Sequence, residues 1–194
     1  GKISLLIDIQ NNIKAQQSAG FTHWAKLNNL KQAAKTMNFL TEHGIGSYEE
    51  LECKVDAVSA RRDTTHTEIK RIESRSAKLT LVMKHATTYR QLKPIYDRYR
   101  KSGDKEKFLR GHESEIILFE AAARELKRLG AVPLPTTESM KTELAKLNAE
   151  KERLLTEYKT ARTEAQEYDT VKQNVDALLA VPKEQEQQRR HELE

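Results

Sequence analysis

The chain has 194 residues, of which 37% are hydrophobic and 32% are charged, and its formal net charge is +5. This composition is typical of long solvated helices, and the charge permits an anionic partner such as nucleic acid without requiring one. The single cysteine, Cys53, excludes an internal disulfide and a cysteine-based zinc site. Because the sequence shows no secretory leader and no apolar run of about 18 residues, we expect a cytoplasmic protein that does not span a membrane.

The first residues, GKISLLIDIQ, enter an apolar helical pattern without an initiator Met, so we expect a segment of a longer protein. Apolar residues at helical spacing predict a first helix over residues 3 to 18. A second helix is predicted to begin after a Thr22 cap and to end at Gly44. Packing of these helices against each other would form an N-terminal helical hairpin over residues 1–46.

Two long heptad patterns follow this hairpin. Ser47 and Glu50 have the spacing of a capping box and predict the start of a helix. Steps of four and three residues without a slip then define a first seam: Leu51, Val55, Val58, Arg62, Thr65, Ile69, Ile72, Ser76, Leu79, Met83 and Ala86. The same steps define a second seam: Met140, Leu144, Leu147, Lys151, Leu154, Tyr158, Ala161, Ala165, Tyr168, Lys172, Val175 and Leu179.

One long helix with so narrow an apolar stripe cannot bury that stripe alone. We therefore predict an antiparallel coiled coil formed by residues 47–87 and 136–180. The polar residues within the seams are of the kind that fixes the register of a coiled coil. The sequence leaves open whether the seams close within one chain or swap between two chains, so the chain is either a monomer or a swapped coiled-coil dimer.

Residues 88–135 lie between the seams and form what we call the basic tip. Its stretch TYRQLKPIYDRYRKSGDKEKFLR holds eight Lys or Arg against three acids. Pro94 predicts a helix break near 88 to 92, followed by a short helix that ends at Lys101. Asp104 is predicted to cap the next helix.

That next helix is predicted to end at Gly130. Its predicted apolar face consists of Ile116, Ile117, Phe119, Ala123, Leu126 and Leu129. Residues 181–194 are rich in Gln and Glu and poor in apolar groups, which predicts a disordered tail.

The cations of the basic tip are the candidate nucleic-acid-binding residues, because Lys and Arg neutralise phosphates. They are Arg90, Lys93, Arg98, Arg100, Lys101, Lys105, Lys107 and Arg110. Tyr99 joins them, since an aromatic ring can stack on the exposed bases of a single strand, as could Tyr89, Tyr96 or Phe108. In the alternative interpretation the charges are only solvated, and Tyr96 or Tyr99 belongs to the core.

The sequence contains no constellation typical of an enzyme. It has no glycine-rich phosphate loop and no pair of histidines at metal-ligand spacing. Cys53 has no plausible neighbouring base and is most simply a small packing residue. We predict no catalytic residue, no metal site and no cofactor.

Three stretches carry a resemblance to a known family: SLLIDIQNNIKAQQSAGFTHWAKLNNLKQAAKTMNFLTEHGI, YDRYRKSGDKEKFLRGHESEI and TVKQNVDALL. They resemble the C-terminal helical region of relaxases from conjugative and mobilisable elements of Gram-positive bacteria. The resemblance runs from about residue 3 to about residue 180. Relaxases of this type nick one DNA strand with a tyrosine and a histidine-bound metal in an N-terminal nuclease domain.

The sequence contains no His-hydrophobe-His metal motif, so no catalytic residue is carried over to it. What the resemblance implies is a non-catalytic accessory domain that binds transfer-origin DNA, a relaxosome component or the coupling protein. The alternative is a coiled-coil protein-interaction or dimerisation arm without nucleic-acid contact, which exposure of Trp24, Met37 or Phe39 would favour. Either way, the predicted fold is all-α and elongated.

Overall fold

The computed structural model describes the backbone of residues 4–18 and 23–191, and the side chains of residues 4–14 and 30–179. Thr22, the predicted cap of the second helix, lies outside the described residues. Within them the chain forms helices and no strand, which confirms the predicted all-α fold. The helices are α1 (Leu5–Ser18), α2 (His23–Glu42), α3 (Tyr48–Lys101), α4 (Lys105–Arg128) and α5 (Thr137–His191).

The chain divides into two compact units. The first unit comprises residues 1–65 and 157–194, and the second unit comprises residues 66–156. Helices α3 and α5 contribute to both units, so this division falls within the predicted coiled coil. The predicted boundaries between hairpin, coiled coil and basic tip therefore stay a prediction.

In the first unit, α1 and α2 pack as the predicted hairpin. Leu5 and Ile9 of α1 share one apolar cluster with Leu40 of α2. The backbone N–H of Leu5 donates to the carbonyl of Gly46 at 3.1 Å, which ties the start of α1 to the segment after α2. Helix α2 ends as predicted, because Gly44 adopts the left-handed conformation with φ of 65° that favours glycine.

The capping box at the start of α3 is also present. The backbone N–H of Glu50 donates to Ser47 Oγ at 3.2 Å. The Glu50 carboxylate accepts from the backbone N–H of Gly46 at 2.8 Å, one residue before the partner that a standard capping box uses. Both contacts satisfy backbone donors at the helix start.

The core of the first unit joins the α1–α2 hairpin to α3 and α5. Phe39 meets Tyr168 edge-to-face, with 5.0 Å between ring centroids. The apolar seam positions of both long helices point into this core. Its buried members are Leu5, Ile9, Phe39, Leu40, Ile45, Leu51, Val55, Val58, Ala165, Tyr168, Val171 and Val175.

Contacts between α3 and α5 are antiparallel within each unit. In the first unit Tyr48 contacts Asp176, and Arg61 lies 3.5 Å from Glu164. In the second unit the corresponding contacts pair Arg75 with Glu143 at 2.7 Å and Glu73 with Lys151 at 3.0 Å.

Most apolar seam positions of the second unit are buried as the heptad pattern predicts; Leu144 is half-buried, and one position shows a local shift. Ile69, Ile72, Leu79 and Ala86 of α3 are buried, and so are Met140, Leu147 and Leu154 of α5. At the seam position of Met83, its neighbour Val82 is the more deeply buried side chain. The polar seam residue Lys151 keeps its ammonium at the surface by pairing with Glu73.

Three expectations are wrong for the described residues. Helix α3 continues through Pro94 without the predicted break near 88 to 92, because packing described below supports it there. On α4, Ile117 is 57% exposed, and Ala122 is buried where Ala123 was expected. The backbone of 181–191 continues α5, since Glu, Gln and Arg are good helix formers, whereas a disordered tail was predicted.

None of the helices in the described part of the chain has the length and apolar character needed to cross a bilayer.

The core of the first unit supplies a stability test. Leu40 is completely buried, so Leu40→Ala should lower the free energy of unfolding by about 2–5 kcal/mol through lost burial and a cavity. Leu155→Ala is the matched control, because Leu155 is 45% exposed and its loss should cost about 0.5 kcal/mol or less. Urea unfolding followed by circular dichroism measures both, and equal losses would contradict the assigned core.

The contact between Tyr48 and Asp176 predicts a pH dependence. The hydrogen bond from the Tyr48 hydroxyl to Asp176 raises the pKa of Tyr48, and partial burial adds to this. A raised pKa means that the stabilisation is complete below the ordinary tyrosine value of about 10 and is lost as pH rises through the raised value. The stability advantage of the wild type over Tyr48→Phe should therefore be constant up to about pH 9 and shrink as the pH rises above about 10. An advantage that stays constant above about pH 10 would contradict the hydrogen bond.

Candidate nucleic-acid interface at the α3–α4 junction

A stack of aromatic rings supports the continuation of α3 past Pro94. The rings of Tyr89 and Tyr96 both stack on Phe119 of α4, with centroid distances of 4.7 and 4.2 Å and interplanar angles of 26° and 23°. Tyr89 and Tyr96 are two helical turns apart, roughly 10.5 Å, so Phe119 fits between them. Pro94 costs a helix about 3 kcal/mol, and this packing on both sides of it offsets that cost.

The aromatic stack also limits which rings can contact a ligand. Phe119 is only 5% exposed, and Tyr89 and Tyr96 direct ring faces towards it. These two tyrosines, considered for base stacking on the sequence alone, therefore serve packing within the second unit. Tyr99 and Phe108 lie nearer the helix ends and are half-buried.

A short turn brings the end of α3 beside the start of α4. Helix α3 ends at Lys101, as predicted, and the hydroxyl of Ser102 donates to the carbonyl of Asp104 at 3.0 Å. Asp104 is the predicted cap of α4, since its Oδ1 accepts from the backbone N–H of Lys107 at 3.0 Å. Helix α4 ends at Arg128 with Leu129 as its C-cap, and Gly130 follows with φ of 68°, which agrees with the predicted end at Gly130.

Two of the predicted phosphate ligands make structural contacts. Arg90 donates through Nη1 to Thr137 Oγ1 at 2.8 Å and through Nη2 to the carbonyl of Pro135 at 2.5 Å. These bonds fasten α3 to the start of α5. Lys93 donates to Asp97 at 2.7 Å, and this hydrogen bond raises the pKa of Lys93. Asp97 also neutralises much of the charge that Lys93 would offer a phosphate.

Two more cations lie over aromatic rings. The guanidinium carbon of Arg98 is 5.9 Å from the Phe108 ring centroid, and Lys105 Nζ is 5.9 Å from that of Tyr99. Each such contact contributes about 0.5–1 kcal/mol at an exposed site. The two contacts cross the turn in opposite directions, so they hold exposed cations from both helices close to the junction.

The remaining cations are available to a ligand. Arg100, Lys101 and Lys107 are exposed, and within the described residues their side chains form no ion pair or hydrogen bond. We call these three residues the free cations. Arg110 lies 3.8 Å from Glu106, but both side chains are strongly exposed, so this pair is weak and readily replaced.

Helix electrostatics distinguish the two sides of the junction. Arg98, Arg100 and Lys101 occupy the last turn of α3, where cations are favourable because the C-terminal end of a helix carries partial negative charge. Lys105 and Lys107 occupy the first turn of α4, where cations are unfavourable for the same reason. The helix dipole therefore favours the first group and disfavours the second, and Asp104 and Glu106 at the start of α4 offset part of that cost.

Sequence reasoning missed a small pocket beside these cations. We call it the α4 pocket; it has a volume of about 320 Å³ and is lined by Ser102, Asp104, Lys107, Phe108, Gly111 and His112. The helical backbone is interrupted at His112, with φ of −141° and ψ of 21°. The four-residue spacing of Phe108 and His112 was the available signal, because it places both rings on one helix face.

Comparisons of the chain with protein-family models, curated proteins and solved structures find no match.

The aromatic stack gives a matched pair of variants on neighbouring residues. Phe119→Ala should lower the free energy of unfolding by about 3–5 kcal/mol, because it leaves a cavity between Tyr89 and Tyr96. Leu118→Ala should cost about 0.5 kcal/mol or less, since Leu118 is 54% exposed. Thermal and urea unfolding measure both variants, and a Phe119→Ala protein as stable as Leu118→Ala would contradict the stack.

Proposed function

We propose that this chain binds nucleic acid through the α3–α4 junction, as a non-catalytic accessory domain of a relaxase in conjugative DNA transfer. The observation that carries the proposal is the set of free cations, Arg100, Lys101 and Lys107, held beside one turn. Arg98 and Lys105 extend the same surface. Such a cluster offers contacts to successive phosphates, whose binding releases counterions.

The unfavourable placement of Lys105 and Lys107 strengthens this interpretation. Cations in the first turn of a helix oppose its dipole, so the dipole does not explain the presence of Lys105 and Lys107 there. A bound phosphate would offset that cost, because it is attracted to these side chains.

The relaxase assignment rests on the resemblance of the quoted stretches. It implies transfer-origin DNA as the ligand and a relaxosome component or the coupling protein as a further partner, in a cytoplasmic setting. On this proposal, strand cleavage belongs to a nuclease domain outside the present chain, and the junction serves to hold DNA.

A protein-interaction arm is the second candidate function. Of its predicted signs, Phe39 is buried and Met37 packs against the core of the first unit, while the side chain of Trp24 lies outside the described residues. The observation in its favour is the adjacent pair Ile117 and Leu118 on α4, which are 57% and 54% exposed. Together they form a small exposed apolar patch on a helix whose other exposed side chains are mostly charged.

Charge reversal of the free cations tests the proposed function. The triple variant Arg100→Glu, Lys101→Glu, Lys107→Glu should weaken binding of a labelled oligonucleotide at least 10-fold at about 50 mM salt, because three phosphate contacts are lost. Fluorescence anisotropy gives the affinities of wild type and variant.

A second triple variant distinguishes the loss of the proposed site from the loss of total positive charge. Lys78→Glu, Lys141→Glu, Lys146→Glu changes the net charge equally, and it alters exposed lysines of the second unit that lie outside the basic tip. This control should lose much less affinity than the first variant. Equal losses in both variants would show that binding follows overall charge, and undiminished binding by the first would remove the proposed site.

A further inference from the structure

The lining of the α4 pocket combines two aromatic rings with one lysine and one aspartate. The rings of Phe108 and His112 lie 4.7 Å apart, inclined by 33°, and both side chains are half-buried. Lys107 lines the same pocket, and its volume of about 320 Å³ is at the lower end of small-ligand sites, roughly 300–1,000 Å³. It therefore suits one flat heterocycle better than a larger ligand.

The charged residues around the pocket determine which part of a nucleotide can enter it. The carboxylate of Asp104 lines the pocket and would repel a phosphate placed within it. A neutral nucleobase meets no such repulsion, and its faces can pack against the rings of Phe108 and His112. Its phosphates would remain outside, near Lys107 and the other free cations.

We infer that the α4 pocket receives one unpaired nucleobase, so that the junction prefers single-stranded to duplex nucleic acid. This inference rests on the proposed function and specifies its ligand. In a duplex both faces of each base are covered by stacking, so a base can enter the pocket only when it is unstacked. The pocket would supply strand selectivity, and the cations would supply affinity that is independent of sequence.

Gly111 allows the pocket to be filled without disturbing the protein. A β-carbon built on Gly111 meets no heavy atom within 4 Å, and its φ does not require glycine. Because Gly111 forms part of the lining, a larger side chain there is expected to take up space at the pocket. Gly103 gives the control: it is equally unobstructed and lies in the turn, and it is not part of the pocket lining.

The test uses the whole chain with three labelled probes: oligothymidylate of about 12 nucleotides, an abasic strand of the same length, and a duplex. The wild type should bind oligothymidylate about 5-fold or more tightly than the abasic strand, the range expected for stacking of one base. Gly111→Leu should reduce oligothymidylate affinity to the abasic level and leave abasic binding unchanged. Gly103→Leu should change neither, and Gly111→Ala provides a milder variant should the leucine disturb folding.

The outcomes separate this inference from the proposed function. If the wild type binds all three probes with salt-sensitive affinity and without preference for bases, the proposed function stands and the base pocket is overturned. The same holds if neither Gly111 variant alters oligothymidylate binding. If none of the probes binds at about 50 mM salt, both the proposed function and the base pocket fail.

Discussion

The stacking of Tyr89 and Tyr96 on Phe119 is the interaction on which the α3–α4 junction depends. It fixes α4 against α3, and it supports α3 on both sides of Pro94 so that the helix reaches Lys101. Had Pro94 interrupted α3, a separate short helix would carry Arg98, Arg100 and Lys101, and its direction would no longer be set by the rest of α3. The position of the cations is thus a consequence of apolar packing.

The cations of the α3–α4 junction fall into groups with different physical roles. Arg90 fastens α3 to the start of α5, and Lys93 is neutralised by Asp97. The free cations and the two residues over aromatic rings remain, and among them the lysines of α4 oppose the helix dipole. These exposed cations lie beside a pocket lined by Phe108 and His112, and this combination is the basis of the proposed nucleic-acid interface.

The sequence predicted those features that depend on local chemistry or on the periodic spacing of apolar residues. Ser47, Asp104 and Gly44 begin or end helices as expected, because capping depends on a few neighbouring atoms, and the seams are buried because heptad spacing determines a face. The prediction at Pro94 was wrong because proline disfavours a helix through local contacts, whereas the packing that offsets this cost involves Phe119, which is distant in sequence. The spacing of Phe108 and His112 indicates one helix face, but the α4 pocket also requires the turn after α3 and the interruption at His112, which the sequence does not show.

The most direct test of the account is the salt dependence of oligothymidylate binding by the wild-type chain. Each phosphate contact with a single strand contributes about −0.7 to the slope of log affinity against log salt concentration. Contacts from the three free cations therefore predict a slope of about −2 or steeper. A slope near zero, or no binding at about 50 mM salt, would contradict the claim that these cations form a nucleic-acid interface.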